Sequence, residues 1–399
     1  MIERHEYLNK LFAFKDKQII KIVSGIRRCG KSTLFKLYQN ELKKNGIADS
    51  QIISVNLEDL TYENLLDYRA LHDYIRARLI PDKMNYVFLD EIQNVPSFEK
   101  MADSLFIQEN VDLYLTGSNA YMLSGELATL LSGRYVQIEM LPLSFAEYTQ
   151  AFSDNHNIDR LFQAYLANSS FPYTLQLNDS SAITDYLSGI YNTIVLKDVI
   201  ARKKIADVSV LENLIKFMFD NIGNLTSAKK ISDTMTSSGR KITPPTVENY
   251  LSALTESYIL YRASRYDIKG KQFLKSLDKY YLCDTAFRSL LIGGNQADSG
   301  HILENVVYLE LLRRGFKVFV GQNDGKEIDF VAVKAPGTIA YYQVSETVRD
   351  ETTLRRELAP LETVSDHNPK FLLTRDIDPP QNLNGIQKLN VLDWLLNKV

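Results

Sequence analysis

The chain has 399 residues, a formal net charge of −3 and a pI near 6.0. This length predicts about two or three domains, and the balanced charge excludes a protein that binds nucleic acid over its whole surface, so any such contact must be local. The two cysteines, Cys29 and Cys283, form no disulfide framework and suit a reducing compartment. No apolar run reaches the length of a membrane span and the N-terminal MIERHEYLNK has no apolar signal core, so we expect a cytoplasmic protein with no membrane contact.

The first chemical motif is GIRRCGKS at residues 25–32, which fits the pattern G-x-x-x-x-G-K-[ST]. The run IIKIV before it predicts a buried strand, and apolar residues at helical spacing after it predict a helix that ends near Gly46. Backbone N–H groups of such a loop surround a phosphate at a helix N-terminus. Lys31 would reach the β- and γ-phosphates of a nucleotide, and the Ser32 hydroxyl would ligate Mg²⁺. The predicted phosphate-binding residues are Gly25, Ile26, Arg27, Arg28, Cys29, Gly30, Lys31, Ser32 and Thr33.

Further strand signals follow in IISVNLED, YVFLDEI, DLYLTGS and RYVQIEM, separated by helical patterns such as LLDYRALHDYIRARLI. Five strands that alternate with helices predict a parallel sheet with helices on both faces. We therefore assign residues 1–142 to a P-loop domain of the α/β class.

Asp90 and Glu91 follow directly after the third of these strand signals. At the carboxyl end of the strand, Asp90 would hold Mg²⁺, directly or through water, beside the phosphate loop. Glu91 would orient and polarise the attacking water. Small-molecule kinases receive their nucleophile with the substrate and need no such pair, so the tandem favours hydrolysis.

Two further polar features are candidates for the same site. The fourth strand ends in LTGSNA, where Asn119 or Ser118, and more weakly Thr116, would touch the γ-phosphate and the attacking water; helix capping explains such residues equally well. Arg134 would stabilise charge on the phosphoryl group in its own subunit or in a neighbour's, the second of which requires an oligomer. An ordinary surface arginine is the alternative.

GIRRCGKST, YVFLDEIQNV, LTGSNA and LSGRY followed by LPLSFAEY together resemble a widespread group of prokaryotic AAA-type ATPases of the AAA+ superfamily. Members of that group carry a C-terminal half of unknown function, and VLKDVIARKKI, TPPTVENYLSALTESYIL, KYYLCDTAFR and GKEIDFVAV resemble its landmarks. The resemblance thus covers most of the chain. It implies ATP as the nucleotide, and it implies that the helical pattern of residues 143–207 is a lid over the nucleotide.

Residues 208–284 predict a winged helix. Three helical patterns are followed by strands in YILYRASRYD and KYYLCD, which bracket the predicted wing IKGKQFLKSL. A basic edge here could meet the phosphates of double-stranded DNA without reading its sequence, through Lys269, Lys271, Lys275 and Lys279 together with Arg265. The third helix lacks arginines for base readout, so a protein partner is a comparable alternative.

The last segment, residues 285–399, predicts a restriction-endonuclease-like α/β domain. Glu304 on a helix, Asp329 on a strand and a third element on the next strand follow the layout of such enzymes, in which carboxylates hold Mg²⁺ and a lysine positions water. Here the third element is Gln343-Val344-Ser345, which lacks both the second carboxylate and the lysine. Lys326 could replace the missing lysine but not the missing carboxylate. We therefore expect an inactive nuclease-like domain.

The predicted fold is α/β throughout, with a P-loop ATPase domain, a helical lid, a winged helix and an endonuclease-like domain in that order. Three functions compete. The first is a Mg²⁺-dependent ATPase whose nucleotide state controls the C-terminal half, on DNA. The second is an ATP-bound signalling switch that acts through protein partners. The third is an ATP-gated DNA nuclease.

Overall fold

The computed structural model describes residues 2–120, 131, 133–152, 157–201, 203–205, 207–274, 277–293, 299–335 and 337–399, without the side chain of Lys197. The chain forms two compact units. The first comprises Met1–Pro142 with Glu256–Tyr258, and the second comprises Leu143–Thr255 with Ile259–Val399. Among the described residues, no helix combines the length and the apolar character that crossing a bilayer requires.

The first unit contains the predicted parallel sheet. Its strands are hydrogen-bonded in the order β2-β3-β4-β1-β5, and every neighbouring pair is parallel. The strands are β1 (Ile20–Ser24), β2 (Ile52–Asn56), β3 (Asn85–Asp90), β4 (Val111–Gly117) and β5 (Tyr135–Glu139). Strands β1, β3 and β4 are buried at every position, as expected of central strands covered on both faces. The α/β prediction for this part of the chain is therefore confirmed.

Helices and short 3₁₀ turns connect these strands. The helices are α1 (His5–Ala13), α2 (Lys31–Lys44), α3 (Tyr68–Arg76) and α4 (Phe98–Phe106), and the 3₁₀ turns are Asp49–Gln51, Leu60–Leu65 and Ile92–Asn94. Helix α3 is shorter than the helical pattern predicted, because the Asp67 carboxylate accepts the N–H groups of Arg69 and Ala70 and so begins the helix there. The helical pattern after residue 120 lies outside the described residues.

The second unit begins with helices. They are α5 (Phe145–Thr149), α6 (Ile158–Asn168), α7 (Ser180–Thr193) with a π-helical continuation Ile194–Ala201, α8 (Val208–Asp220), α9 (Ala228–Ser237) and α10 (Pro244–Glu256). After α10, strands β6 (Leu260–Ala263) and β9 (Lys279–Leu282) form an antiparallel pair, and Thr226 forms an isolated bridge with Asp278. Helices α8 to α10 thus precede these two strands, and the winged helix itself stays a prediction.

An eight-stranded mixed sheet completes the second unit, in the order β14-β15-β13-β12-β11-β10-β7-β8. Its strands are β7 (Arg265–Asp267), β8 (Gln272–Phe273), β10 (Lys317–Asn323), β11 (Lys326–Lys334), β12 (Thr338–Ser345), β13 (Lys370–Thr374), β14 (Gln381–Leu383) and β15 (Ile386–Asn390). The accompanying helices are α11 (Ala286–Ile292), α12 (Ser299–Arg313), α13 (Glu351–Glu362) and α14 (Val391–Leu395).

The predicted boundary at residue 284 does not separate two sheets. Strand β7, at the end of the predicted strand YILYRASRYD, pairs in parallel with β10, and the β7–β8 hairpin, whose β8 lies in the predicted wing, extends the C-terminal sheet at its edge. Backbone hydrogen bonds across the boundary, such as Ile268 N–H to Gln322 O at 3.0 Å, therefore join the wing to the segment that was expected to fold separately.

Candidate nucleotide site

The phosphate loop connects β1 to α2 at the carboxyl edge of the first sheet. Gly25 leaves β1 in a place where a side chain is excluded, since a Cβ there would lie 2.1 Å from the carbonyl oxygen of Met140. Gly30 has φ +107° and caps α2 in the left-handed region, which glycine adopts without steric cost. Arg28 also has positive φ, at 66°, a conformation that costs a non-glycine residue about 1 kcal/mol or more. The loop thus stores strain where the motif predicts ligand binding.

Lys31 is buried at the start of α2, with only 3% of its surface exposed. Its ammonium donates hydrogen bonds to the carbonyl oxygens of Gly25 (3.0 Å) and Ile26 (3.2 Å) and to the hydroxyl of Ser118 (3.1 Å). The Lys31 Nζ atom lies 3.7 Å from Glu91 Oε1. The loop lysine and the predicted base therefore belong to one buried charged cluster.

Glu91 is held in place by neutral donors as well as by this charge. The Ser118 hydroxyl lies 2.7 Å from each carboxylate oxygen, and the Gln93 amide donates to Oε2. Strand order explains this contact, because β4 lies between β1 and β3 and so places its end between the loop and the acidic pair. Ser118, which follows β4, thus bridges Lys31 and Glu91.

Thr116, at the end of β4, joins the two acidic residues. Its hydroxyl accepts the N–H of Glu91 at 2.8 Å and donates to Asp90 Oδ1. Glu91 itself has a left-handed backbone, with φ 56°, which turns its side chain away from the run of β3. Thr116 was the weaker candidate from the sequence, and in the structure its hydroxyl contacts the Asp90 carboxylate and the Glu91 backbone.

The pKa of Glu91 lies below its ordinary value. Burial alone would raise this pKa, but the positive charge of Lys31 and the hydrogen bonds from Ser118 and Gln93 outweigh burial. A carboxylate in this setting is ionised at neutral pH, the state that a general base requires. By contrast, burial raises the pKa of the Cys29 thiol, so Cys29 is a small packed residue of the loop with no thiolate character.

Arg134 is not brought to the phosphate loop of its own chain. It precedes β5, and its carbonyl oxygen accepts the N–H of Ile20 at the amino end of β1, whereas the loop follows the carboxyl end. Its guanidinium pairs with Asp103 and lies 5.5 Å from the centre of the Phe106 ring. The expectation that Arg134 acts within its own site is thus opposed by the sheet topology.

The other predicted residues lie at or near the loop. Ser32 and Thr33 are exposed on the first turn of α2, where a ligand can reach them, and the Arg27 guanidinium is 3.4 Å from the Glu58 carboxylate. Asn119 is buried one residue beyond Ser118. Asp90 is buried at the end of β3. The structure therefore places the residues that were predicted to bind Mg²⁺ and phosphate at one edge of the sheet.

Sequence analysis missed Arg4, which precedes α1. The Arg4 guanidinium is buried and donates to the carbonyl oxygens of Cys29 (3.2 Å) and Leu141 (2.7 Å), so it ties the phosphate loop to the chain that follows β5. Gln93 was missed as well. No local pattern identifies Arg4, because both of its partners are distant in sequence.

The lysines predicted to contact DNA do not form one exposed edge. Lys279 is 3% exposed and is enclosed by carboxylates of the second unit, so it is unavailable to a phosphate backbone. Lys269 is exposed and pairs with Asp324 at 2.7 Å, and Lys271 is exposed. Lys275 lies outside the described residues. The exposed positive charge available for DNA contact is therefore smaller than the sequence predicted.

Comparison with known proteins agrees with a P-loop ATPase domain in the first unit. A family model described as "AAA domain" matches residues 17–149, and one described as "Domain of unknown function (DUF8612)" matches residues 159–298. A Haemophilus influenzae relative named "Uncharacterized protein" is 39% identical over 400 residues, which covers 99% of each chain. A Methanocaldococcus jannaschii relative, also named as uncharacterized, is 27% identical over 94% of this chain and 85% of its own.

Among solved structures, "The walker-type atpase paby2304 of pyrococcus abyssi" matches with a TM-score of 0.51 at 13% identity, over 73% of this chain and 96% of that chain. This likeness shows a shared fold. The 39% identity across nearly the whole of both chains shows that the protein belongs to the family of the Haemophilus influenzae relative, and the domain matches make it an AAA-type P-loop protein whose AAA domain is followed by a domain of unknown function.

Proposed function

We propose that this protein binds ATP with Mg²⁺ at residues 25–33 and hydrolyses it, with Glu91 as the general base. The observation that carries the proposal is the buried contact of Lys31, Ser118 and Glu91 at the carboxyl edge of the sheet. A phosphate-binding group that only held a ligand would need no ionised carboxylate beside it. A carboxylate kept ionised and fixed by two donors suits proton abstraction from water.

Each residue has a separate task in this proposal. Lys31 donates to two loop carbonyls in the structure, and a phosphate takes the place of these acceptors when nucleotide binds. The Ser32 hydroxyl and the Asp90 carboxylate hold Mg²⁺, which when bound offsets the charge of the phosphate oxygens. The Ser118 hydroxyl would leave Glu91 and form a hydrogen bond with the γ-phosphate or the attacking water. Asn119 would also contact the γ-phosphate or this water. Arg134 would act only on the site of a neighbouring subunit.

The test is a pair of variants with different expected failures. Lys31→Ala should weaken ATP binding about 100-fold or more, since it removes a charged donor worth about 3 kcal/mol. Glu91→Gln should leave ATP affinity intact and reduce turnover to background, because it keeps the shape of the side chain and removes the base. Lys36→Ala is the matched control, since Lys36 is an exposed lysine of the same helix. Unchanged affinity in Lys31→Ala by calorimetry, or wild-type turnover in Glu91→Gln, would contradict the proposal.

We further propose that the nucleotide state controls the winged-helix and nuclease-like second unit. Double-stranded DNA and a protein partner are the two candidate targets of that control. The exposed side chains of Lys269 and Lys271 favour DNA as the target, and the burial of Lys279 counts against it as the target. ATPase rates with and without double-stranded DNA, across a salt series, separate the two. If DNA accelerates ATP hydrolysis at low salt and this acceleration disappears as the salt concentration rises, the target is DNA. If DNA leaves the hydrolysis rate unchanged at low salt, the target is the protein partner.

A further inference from the structure

The second unit contains a polar cavity of about 530 Å³ that the ATPase proposal does not use. Charged side chains dominate its wall, and among them are Lys279, His301, Glu304, Glu327 and Asp329. Glu304 lies on α12, Glu327 and Asp329 lie on β11, and Lys279 begins β9. Glu304 and Asp329 are the two carboxylates that sequence analysis assigned to an endonuclease-like centre.

Lys279 occupies the middle of this group. Its ammonium lies 2.8 Å from Glu304 Oε1 and 2.8 Å from Glu327 Oε1, and it is almost fully buried. Tyr281, two residues further along β9, also donates its hydroxyl to Glu304 Oε1, at 2.5 Å. One oxygen of the helix carboxylate is therefore saturated by protein donors.

The remaining residues do not fit a divalent cation. The N–H of Val344 donates to Asp329 Oδ2 at 2.8 Å. Gln343, which stands where the second strand carboxylate was sought, accepts the N–H of Asp329 at 3.3 Å and donates to Glu357 at 2.9 Å. Across the described part of the chain, no three histidine, cysteine, aspartate or glutamate side chains converge as a ligand set. A hard cation needs several oxygens at once, and here Glu304 Oε1, Asp329 Oδ2 and the Gln343 amide oxygen already accept hydrogen bonds from the protein.

We propose that Lys279 takes the place of the metal ion in this endonuclease-like centre, so that its ammonium is the resident cation and the cavity excludes divalent metal. The lysine pairs with Glu304, one of the two carboxylates that would otherwise be ligands, and with Glu327, and a second positive charge beside it would be repelled. The proposal is independent of ATP hydrolysis, because all of these residues lie in the second unit.

The protonation of the cluster agrees with this placement. Burial alone would lower the pKa of Lys279, but the carboxylates of Glu304, Asp329 and Glu327 outweigh it and raise that pKa. Burial would raise the pKa of Glu304, and the Lys279 charge together with hydrogen bonds from its neighbours lowers it instead. Burial and the charge of Glu304 raise the pKa of Asp329 well above its ordinary value. The Lys279 ammonium thus lies between the Glu304 and Glu327 carboxylates, where a metal ion would otherwise sit.

The experiment counts Mn²⁺ bound by the full chain without nucleotide, by electron paramagnetic resonance of free Mn²⁺. Native protein and Asp329→Asn should give the same count. Lys279→Met should bind about one Mn²⁺ more per chain, because it frees the carboxylates as ligands, and Lys279→Met/Glu304→Gln should lose that gain. Lys334→Met is the matched control, since Lys334 is an exposed lysine of β11 whose ammonium donates to the Arg314 carbonyl oxygen at 3.0 Å, and it should behave as native.

Two results would overturn the proposal. One is a Mn²⁺ ion in the native protein that Asp329→Asn removes, which would mean that metal and lysine occupy the centre together. The other is a folded Lys279→Met protein that gains no ion. Should Lys279→Met not fold, Lys279→Met/Glu327→Gln replaces it, because this variant removes one charge of each sign, and the same gain is expected. The comparison of native protein with Asp329→Asn needs no lysine variant at all.

Discussion

Replacing Lys21 by Met should destabilise the first unit strongly, although Lys21 lies away from the phosphate loop. Lys21 is in β1 and Asp112 is in β4, and their side chains are 0% and 1% exposed. The ammonium donates to Asp112 Oδ1 and, at 2.8 Å, to the carbonyl oxygen of Lys17. Asp112 Oδ2 also accepts the Tyr114 hydroxyl at 2.8 Å and the Asp16 N–H at 2.9 Å. The pair is the centre of a buried polar network.

Removing one member of such a pair leaves the other charge buried without compensation, which costs about 3–5 kcal/mol. Lys21→Met and Asp112→Asn should each cost this much. The double variant removes both charges and keeps an oxygen that can accept from Tyr114 and Asp16, so its cost should be only about 0–2 kcal/mol. The difference predicts a coupling energy of roughly 3 kcal/mol or more, well above additivity for independent sites.

The single tryptophan, Trp394, belongs to the second unit, so its fluorescence does not follow the first. Amide hydrogen exchange by mass spectrometry, on peptides that contain β1 and β4, measures the right region. A loss of 3–5 kcal/mol should accelerate exchange there about 10²–10⁴-fold, while Lys36→Met should leave it unchanged. A Lys21→Met protein within about 1 kcal/mol of wild type, or a double variant equal to the sum of the singles, would refute the reasoning.

Three further predictions concern the nucleotide site. Arg4→Met should destabilise the first unit by about 2–4 kcal/mol in chemical denaturation and weaken ATP binding, since it removes charged hydrogen bonds to the carbonyls of Cys29 and Leu141; an unaffected ATP affinity would contradict this. Protonation of Glu91 should not slow hydrolysis between about pH 8 and pH 5, because the pKa of Glu91 lies below its ordinary 4.5 and the base loses its charge only under more acid conditions; an acidic limb near neutral pH at saturating ATP would contradict this. Arg134→Ala should leave the turnover of a monomer unchanged, and a loss that depends on protein concentration would instead assign Arg134 to a neighbour's site.

The sheet and the phosphate loop could be predicted because their signals are local. A β-branched run, two glycines at fixed spacing and a helical pattern lie within about 30 residues and depend on no distant contact. The choice between Ser118 and Asn119 could not be made in the same way. Which of two adjacent residues faces the loop depends on where β4 ends and how the chain turns, and the structure gives the contact with Lys31 and Glu91 to Ser118.

The edge of the sheet at which Arg134 lies was not predicted, although a topological rule could have supplied it. In a parallel sheet, the chain returns from the carboxyl end of one strand to the amino end of the next. A residue just before β5 must therefore lie at the edge opposite the phosphate loop, whatever its charge. The number of lysines in a segment does not tell which of them are exposed, and Lys279 is an example. The alternation of a strand puts Lys279 and Tyr281 on one face, but only tertiary structure reveals that this face meets Glu304.

The nuclease-like centre leads to the last prediction, which is that the purified protein does not cut DNA in Mg²⁺ or Mn²⁺, with or without ATP. A nuclease of this layout needs metal-bound oxygens to activate a water against a phosphodiester. Here Glu304 is paired with Lys279, and Gln343 is hydrogen-bonded to Glu357. The assay is plasmid DNA incubated with the protein and either metal, with Asp329→Ala as the control for contaminating nuclease. Nicking by the native protein that vanishes in Asp329→Ala would show that Asp329 belongs to an active centre, and it would make an ATP-gated nuclease the better account of the second unit.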